Sequence, residues 1–466
     1  MKGDISSTID PNYGDRVSTV DARGKRKWIY ALQPVGKFYN RRTIVSASYL
    51  LLFFTLPFLK INGGPAFLFN VVEARFVIFG KLFLPQDFII LGTGMLAFLL
   101  FIIVFTLLFG RVFCGWACPQ TIFLEMVFRR IEYWIEGNAN KQKLADNKPG
   151  DAAYYLRKAL KHIIFLLISF LIANTFLSYI IGVDQLFRII NEPITDHLAG
   201  FFGIVGFTLV FYSVFAFVRD LVCTVICPYG RLQSVLLDKN SIVVAYDYLR
   251  GEPRSKIKKG AAPKGDCIDC GLCVQVCPTG IDIRNGTQME CVNCTACIDA
   301  CNMMMKKVNR LPDLIRYASE NNIAKGEKPR FTYRLKAYTA VLIILVGLLT
   351  ALLVTRSIFD ATVLRVPGQI LQENNDGTIS NLYRIKIVNK SNVLKPYHLA
   401  IAEKEAALSF VGKPLEVLKP VTETEETFFI KVAREKITKR KSNFTVQVMS
   451  GNDVIQTKKV SFIGEY

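Results

Sequence analysis

Five stretches of the chain are apolar and free of charged residues: Ile44 to Leu59, Phe88 to Phe109, Ile163 to Ile181, Phe201 to Val218 and Tyr338 to Val354. An apolar helix needs about 20 residues to cross a bilayer, so the pattern predicts an α-helical membrane bundle of five transmembrane helices. The first stretch is the shortest, and Lys60 at its end can snorkel. Between the first two, Phe67 to Phe79 is apolar but broken by Glu73 and Arg75. It is too short and too charged to span, and an interfacial segment is expected there. The polar stretch 137–160 is expected to be a mobile connector.

From Ile358 onward the period becomes two. Runs at 361–366, 381–389, 427–433, 443–449 and 458–464 alternate, separated by turn signals such as Asn375-Asp376-Gly377 and Ser450-Gly451-Asn452. About one hundred residues of this kind predict an all-β, immunoglobulin-like sandwich. That description rests on strand count, because no cysteine pair and no tryptophan occurs there. The chain therefore divides into an N-terminal segment (1–43), a four-helix membrane domain (44–239), a third region (240–336), a fifth helix (337–356) and the sandwich (357–466).

The formal net charge is +20, from 58 Lys and Arg against 38 Asp and Glu. The basic residues follow the membrane and not a nucleic-acid surface. Residues 1–43 carry nine Lys or Arg, 60–87 three, 110–161 nine, and 182–199 only Arg188. The positive-inside rule puts the N-terminus and the second loop in the cytoplasm. With five crossings, 240–336 is cytoplasmic and the sandwich periplasmic, and anionic lipid is the expected partner of the charge. No secretory signal precedes the first apolar run, so its helix is expected to stay as an anchor. RGKRKWIY, Arg23 to Tyr30, reads as a surface anchor with Trp28 and Tyr30 at the headgroup level.

The chemistry is carried by cysteine. Cys267, Cys270, Cys273 and Cys277 have the C-x2-C-x2-C-x3-C-P spacing of bacterial iron–sulfur ligation, and Cys291, Cys294, Cys297 and Cys301 repeat it without the proline. In such pairs the fourth cysteine of each run serves the other cluster. The expected ligand sets are thus Cys267, Cys270, Cys273 and Cys301 for one 4Fe-4S cluster, and Cys291, Cys294, Cys297 and Cys277 for the second. A zinc site needs only four ligands, and a disulfide scaffold belongs to small secreted domains. Region 240–336 therefore reads as an inserted two-cluster ferredoxin module of α+β type.

The second and fourth apolar stretches each run into C-x3-C-P: Cys114, Cys118 and Pro119, then Cys223, Cys227 and Pro228. Helices one and two repeat as helices three and four, a parallel internal repeat. Either each C-x3-C is helical, or each proline opens a new helix at its first position with the cysteines in the turn before it. Both arrangements bring four thiols to one depth, and a third metal site, iron–sulfur or copper, is expected there. Met303, Met304 and Met305 follow Cys301, and thioethers can bind Cu(I), although such a run more often packs around a cluster. His162 reads as an interfacial residue; His197 and His398 are expected outside, so no paired haem ligands are available.

These features together resemble the cytochrome c oxidase accessory family CcoG, also called FixG or RdxA. The resemblance covers nearly the whole chain and rests on CIDCGLCVQVCPTGIDIRNG (Cys267 to Gly286), the second cysteine run, CGWACP and RGKRKWIY, after which Ala31 stands in place of the family's proline. It implies a bacterial inner-membrane protein needed for assembly of cbb-type haem–copper oxidase, reducing Cu(II) to Cu(I), with oxidase-assembly or copper-delivery proteins as partners. A quinol dehydrogenase subunit resembling NapH, or a scaffold with structural clusters, are the alternatives. The sequence names no electron donor.

Overall fold

The computed structural model describes residues 26–466 except 62–63, 72, 194, 196, 257–264, 328–331, 358, 369–370, 375, 391–393, 415, 419–421, 438, 452 and 465–466. Most of the N-terminal segment, and one residue of each turn signal, lie outside the described residues. Segments through Thr55, Thr93–Ser178 and Val183–Leu348 form one unit, and Leu56–Gly92, Tyr179–Gly182 and Leu349–Tyr466 a second.

Among the described residues, four helices are long and apolar enough to cross a membrane: Phe88–Phe109, Ala152–Ile181, Leu198–Val218 and Tyr333–Val354. The Lys37–Thr55 helix is not among these four; Lys37, Arg41 and Arg42 occupy its first two turns. Its start is capped by Asp299 of the ferredoxin module, which accepts from the N–H groups of Phe38 (3.2 Å) and Tyr39 (2.8 Å). The bundle core is aromatic, with Phe128 stacked on Phe215 at 4.5 Å and edge-on to Phe165 at 4.8 Å.

Stretch 137–160 is not an unstructured connector. Ala139–Asn147 is a helix, and Ala152 already starts the long third span. Its Ala, Lys, Gln and Leu residues favour helix, and Lys158 bridges Glu136 (3.0 Å) and Asp146 (2.9 Å). The N-terminal segment also departs from expectation. Trp28 lies between the guanidinium groups of Arg26 and Arg219, 4.7 and 4.9 Å away. Tyr30 Oη donates to Asp146 at 2.7 Å, and the Leu32 N–H donates to the Gln275 carbonyl at 2.8 Å. These aromatic groups have protein partners, so residues 26–36 act as a strap from the bundle to the ferredoxin module.

The module pairs Val243–Tyr246 with Ile315–Ala318 in antiparallel register and adds the Leu272–Gln275 and Ala296–Lys307 helices. Strands and helices thus occur together in this region.

In the second unit, two sheets enclose one apolar core. Ala406–Phe410, Thr422–Ala433, Thr378–Asn389 and Phe359–Arg365 lie in that order in one sheet, and His398–Ile401, Lys441–Ser450 and Asp453–Ile463 form the other. Ala361, Ile385, Phe428, Ile430 and Val446 are fully buried between them. The stretch expected to be interfacial forms an antiparallel sheet of Phe67–Asn70, Arg75–Ile78 and Lys81–Phe83. Glu73 stands in its first turn, where its N–H donates to Asn70 Oδ1 at 3.0 Å. Phe79 and Gly80, with φ 51° and 72°, form the two-residue loop of the second hairpin. Val77, Leu82 and Leu84 pack on Val388 of the sandwich, and Asp87 accepts from Arg356 and Lys390, each at 2.7 Å.

Candidate metal centres

The two cysteine runs share one backbone motif. Asp269 and Gly271 in the first, and Asn293 and Thr295 in the second, occupy matching positions and have φ between 49° and 68°. Asp, Asn and Gly tolerate this left-handed conformation, whereas a β-branched threonine does not adopt it readily. Thr295 is buried, and its hydroxyl donates to the Cys294 carbonyl at 2.6 Å. Successive left-handed turns aim backbone N–H groups at a common centre, a geometry suited to an anionic group.

Two cavities result. One is lined by Cys267, Cys270, Cys273 and Cys301 together with Tyr246, Arg284, Met305 and Leu314. The other is lined by Cys277, Cys291, Cys294 and Cys297, with Cys273 also at its wall. Each cavity thus gathers three cysteines of one run and the fourth of the other. Backbone N–H groups of Thr279, Gly280 and Ile281 reach the Cys277 sulfur. Burial pushes the Cys273 and Cys291 thiols up to about 12 and Cys294 to about 11. Such thiols stay neutral unless a cationic core ionises them. Among the described residues, no three Cys, His, Asp or Glu side chains converge tightly enough for a single ion. A cubane holds its thiolates at its corners, farther apart than the ligands of one ion, so the residues present fit a 4Fe-4S group. Of the methionine run, Met305 is buried at the first cavity and Met303 is exposed.

Both C-x3-C-P motifs resolve in the same way. Cys114 lies in the Val112–Trp116 helix and Cys118 is an extended residue before Pro119, the first residue of a new helix. Cys223 lies in a π-helix, Val222–Ile226, and Cys227 is extended before Pro228, which opens the Pro228–Leu236 helix. Four residues before the first cysteine of each pair, the backbone turns left-handed: Gly110 has φ 56° and Arg219 φ 53°. Cys114 Sγ donates to Gln233 Oε1 at 2.9 Å, and Gln233 Nε2 donates to Thr106 Oγ1 (3.1 Å) and Tyr229 Oη (2.6 Å). Burial raises the Cys114 thiol, and it pushes Cys223 up to about 12 with the neighbouring Cys118 and Cys114 adding to the rise. The four thiols are therefore close enough to act on one another. Cys114, Cys223 and Tyr229 share one continuous apolar cluster with Val292, Cys294 and Cys297.

Sequence reasoning missed the residues that bring these sites together. Gly115 approaches the second run so closely that a Cβ there would lie 2.4 Å from the Val292 carbonyl oxygen. The Gly115 carbonyl accepts from the buried Arg42 Nε at 2.7 Å. The available signals were a glycine inside a helical cysteine motif and basic residues beside apolar runs. His162 has no metal-site partner; its Nδ1 is hydrogen-bonded to Tyr212 Oη at 2.9 Å.

Comparison with known proteins agrees with this architecture. Residues 91–142 match a 4Fe-4S binding domain, 218–320 a 4Fe-4S dicluster domain, and 349–465 the domain described as an IG-like fold at the C-terminus of FixG, putative oxidoreductase. The chain is 31% identical to protein RdxB of Cereibacter sphaeroides, over 86% of its own length and 87% of the relative's. It is 33% identical to RdxA of the same organism, over 80% and 82% of the two lengths. Nitrogen fixation protein FixG of Rhizobium meliloti is 32% identical over 68% of this chain and 63% of that protein. These findings make the protein an iron–sulfur electron-transfer protein of the membrane. The chain belongs to the FixG/RdxA family.

Proposed function

We propose that the protein is a fixed electron relay of the bacterial inner membrane that reduces Cu(II) to Cu(I) for assembly of cbb-type cytochrome c oxidase. Cys267, Cys270, Cys273 and Cys301 hold one 4Fe-4S cluster, and Cys277, Cys291, Cys294 and Cys297 the second. Bound there, a cubane supplies a one-electron store, with potentials that span about −700 to +450 mV across proteins. Cys114, Cys118, Cys223 and Cys227 form the third metal site, where one electron converts one Cu(II) to Cu(I).

The observation that carries this reading is the unbroken apolar cluster joining Cys114 and Cys223 to Cys294 and Cys297. It links one thiol of each C-x3-C-P pair, through side chains such as Val276, Val292 and Ala296, to two of the cysteines that line the second cavity. The proposed topology has five crossings, with the N-terminal strap and ferredoxin module cytoplasmic and the sandwich periplasmic. The helix Lys37–Thr55 supplies the first crossing. Its 19 residues extend about 28 Å, and Ile44, Leu51 and Leu52 are exposed on it, as on a lipid-facing surface.

The test uses anaerobic, chemically reduced holoprotein mixed separately with Cu(II) and with a quinone, with cluster absorbance followed in time. Reoxidation by Cu(II) is expected. Reoxidation by quinone alone overturns the copper reading in favour of a quinol dehydrogenase subunit, and reoxidation by neither assigns the clusters a structural role.

A further inference from the structure

Buried arginines in the first unit are of two kinds. Arg129 lies 2.7 Å from Glu125 and 3.3 Å from Asp220, and Arg219 makes two 2.7 Å hydrogen bonds to Glu132. Arg42 and Arg111 are as deeply buried, 2% and 3% exposed. Neither has a carboxylate within ion-pair distance among the described residues. Arg42 donates through Nε to the Gly115 carbonyl, and its Nη2 is buried without a partner. Arg111 donates through Nη1 to the Met289 carbonyl, and its Nε is buried without a partner.

A guanidinium cannot shed its proton in a protein. An unpaired charge inside the protein is strongly unfavourable, so an anion belongs beside each of these groups. Their hydrogen bonds put both beside the second cysteine run: Gly115, which accepts from Arg42, lies against the Val292 and Asn293 backbone, and Met289, which accepts from Arg111, stands two residues before Cys291. Arg111 also faces Cys114 of the first C-x3-C-P pair. The first cavity is built differently: Arg284 at its wall is bridged to Asp282 and Asp269, each at 2.6 Å, so its charge is already cancelled.

We propose that Arg42 and Arg111 are the counter-cations of an anionic metal–thiolate group held by Cys277, Cys291, Cys294 and Cys297, and that they raise its reduction potential above that of the group at Cys267, Cys270, Cys273 and Cys301. Adding an electron makes such a group more negative, and uncancelled positive charge in a low-dielectric site favours that change. Free N–H donors near the sulfurs act in the same direction. The two arginines are positioning and tuning residues, since they touch the ligands' surroundings and not a substrate. The inference rests on the two-cluster reading.

The experiment compares full-length holoprotein of wild type, Arg42→Gln, Arg42→Lys and Arg111→Gln by iron and acid-labile sulfide content and by anaerobic redox titration followed by electron paramagnetic resonance. In Arg42→Gln and Arg111→Gln, one of the two cluster signals is expected to move to lower potential while the other stays. Arg42→Lys is expected to retain most of the wild-type value. Unchanged potentials, or equal shifts of both signals, overturn the proposal. Should Arg42→Gln lose one cluster's iron while Arg42→Lys keeps it, the charge role is supported; equal loss in both overturns it in favour of packing. A wild type without iron and sulfide overturns the cluster reading itself, an outcome distinct from all of these.

Discussion

Gly115 shows how one missing methyl group sets a distance between two sites. Its backbone is regular helix, so alanine suits the local conformation, and the objection comes from the backbone of the second run, with the Val292 carbonyl oxygen 2.4 Å and the Asn293 carbonyl carbon and oxygen 3.0 Å from the added Cβ. Gly115→Ala is expected to leave iron content intact but to separate the C-x3-C-P segment from the second cysteine run, slowing reoxidation by Cu(II) at least tenfold in stopped-flow. Gly203→Ala, with open space around its Cβ, is the matched control and should leave the rate unchanged. Arg219 is a second single-residue constraint. It holds φ 53°, a conformation that favours glycine, and the two hydrogen bonds that its guanidinium donates to Glu132 keep it there. Glu132→Gln leaves that buried cation short of its partner and should cost about 3–5 kcal/mol of stability, measured as a lower midpoint of thermal unfolding in detergent.

Elements show where the sequence was legible and where it was not. Strands whose alternation runs for six or more residues, such as Thr378–Asn389 and Lys441–Ser450, declare themselves, because one face must be buried at every second position. His398–Ile401 and Ala406–Phe410 are too short to show that period. Spacing alone indicated how the eight ferredoxin cysteines group around two cavities, because a three-cysteine turn leaves one corner for a distant residue. The Phe67–Phe83 sheet was hidden because its charged interruption is a turn, and its buried side is completed by a residue far along the chain, Val388. Asp87 anchors that sheet. Burial alone would raise its carboxyl, but hydrogen bonds from Arg356 and Lys390 prevail and hold it below the ordinary value. The stability it contributes is therefore full at neutral pH and is lost as pH falls through that lowered value. Amide-exchange protection of residues 67–83 should collapse in acid. In Asp87→Asn, protection should already be weak at pH 7, with little further dependence on pH.

At the scale of the whole molecule, contacts within each unit support the proposed five crossings. The strap and the start of the Lys37–Thr55 helix meet Gln275 and Asp299 of the ferredoxin module. The segment after that helix, 56–92, folds with the sandwich through Asp87, Arg356 and Lys390. Three apolar helices separate 56–92 from the module along the chain, and a fourth separates the module from the sandwich. If those four cross, the strap and the Phe67–Phe83 sheet stand on opposite faces of the membrane only when the Lys37–Thr55 helix crosses too. Composition argues less clearly, because Arg41 and Arg42 shorten the apolar part of that helix; Arg42, however, is buried inside the protein, where its Nε donates to the Gly115 carbonyl, and does not face lipid. Alkaline phosphatase, which folds only where its disulfides form, tests this directly. Fused after Asn70, behind the first helix alone, it should be active; after Asn147 it should be inactive, and after Tyr466 active. Inactivity after Asn70 would show that the first helix lies in or along the membrane without crossing it, and would leave the strap and the module without a shared compartment.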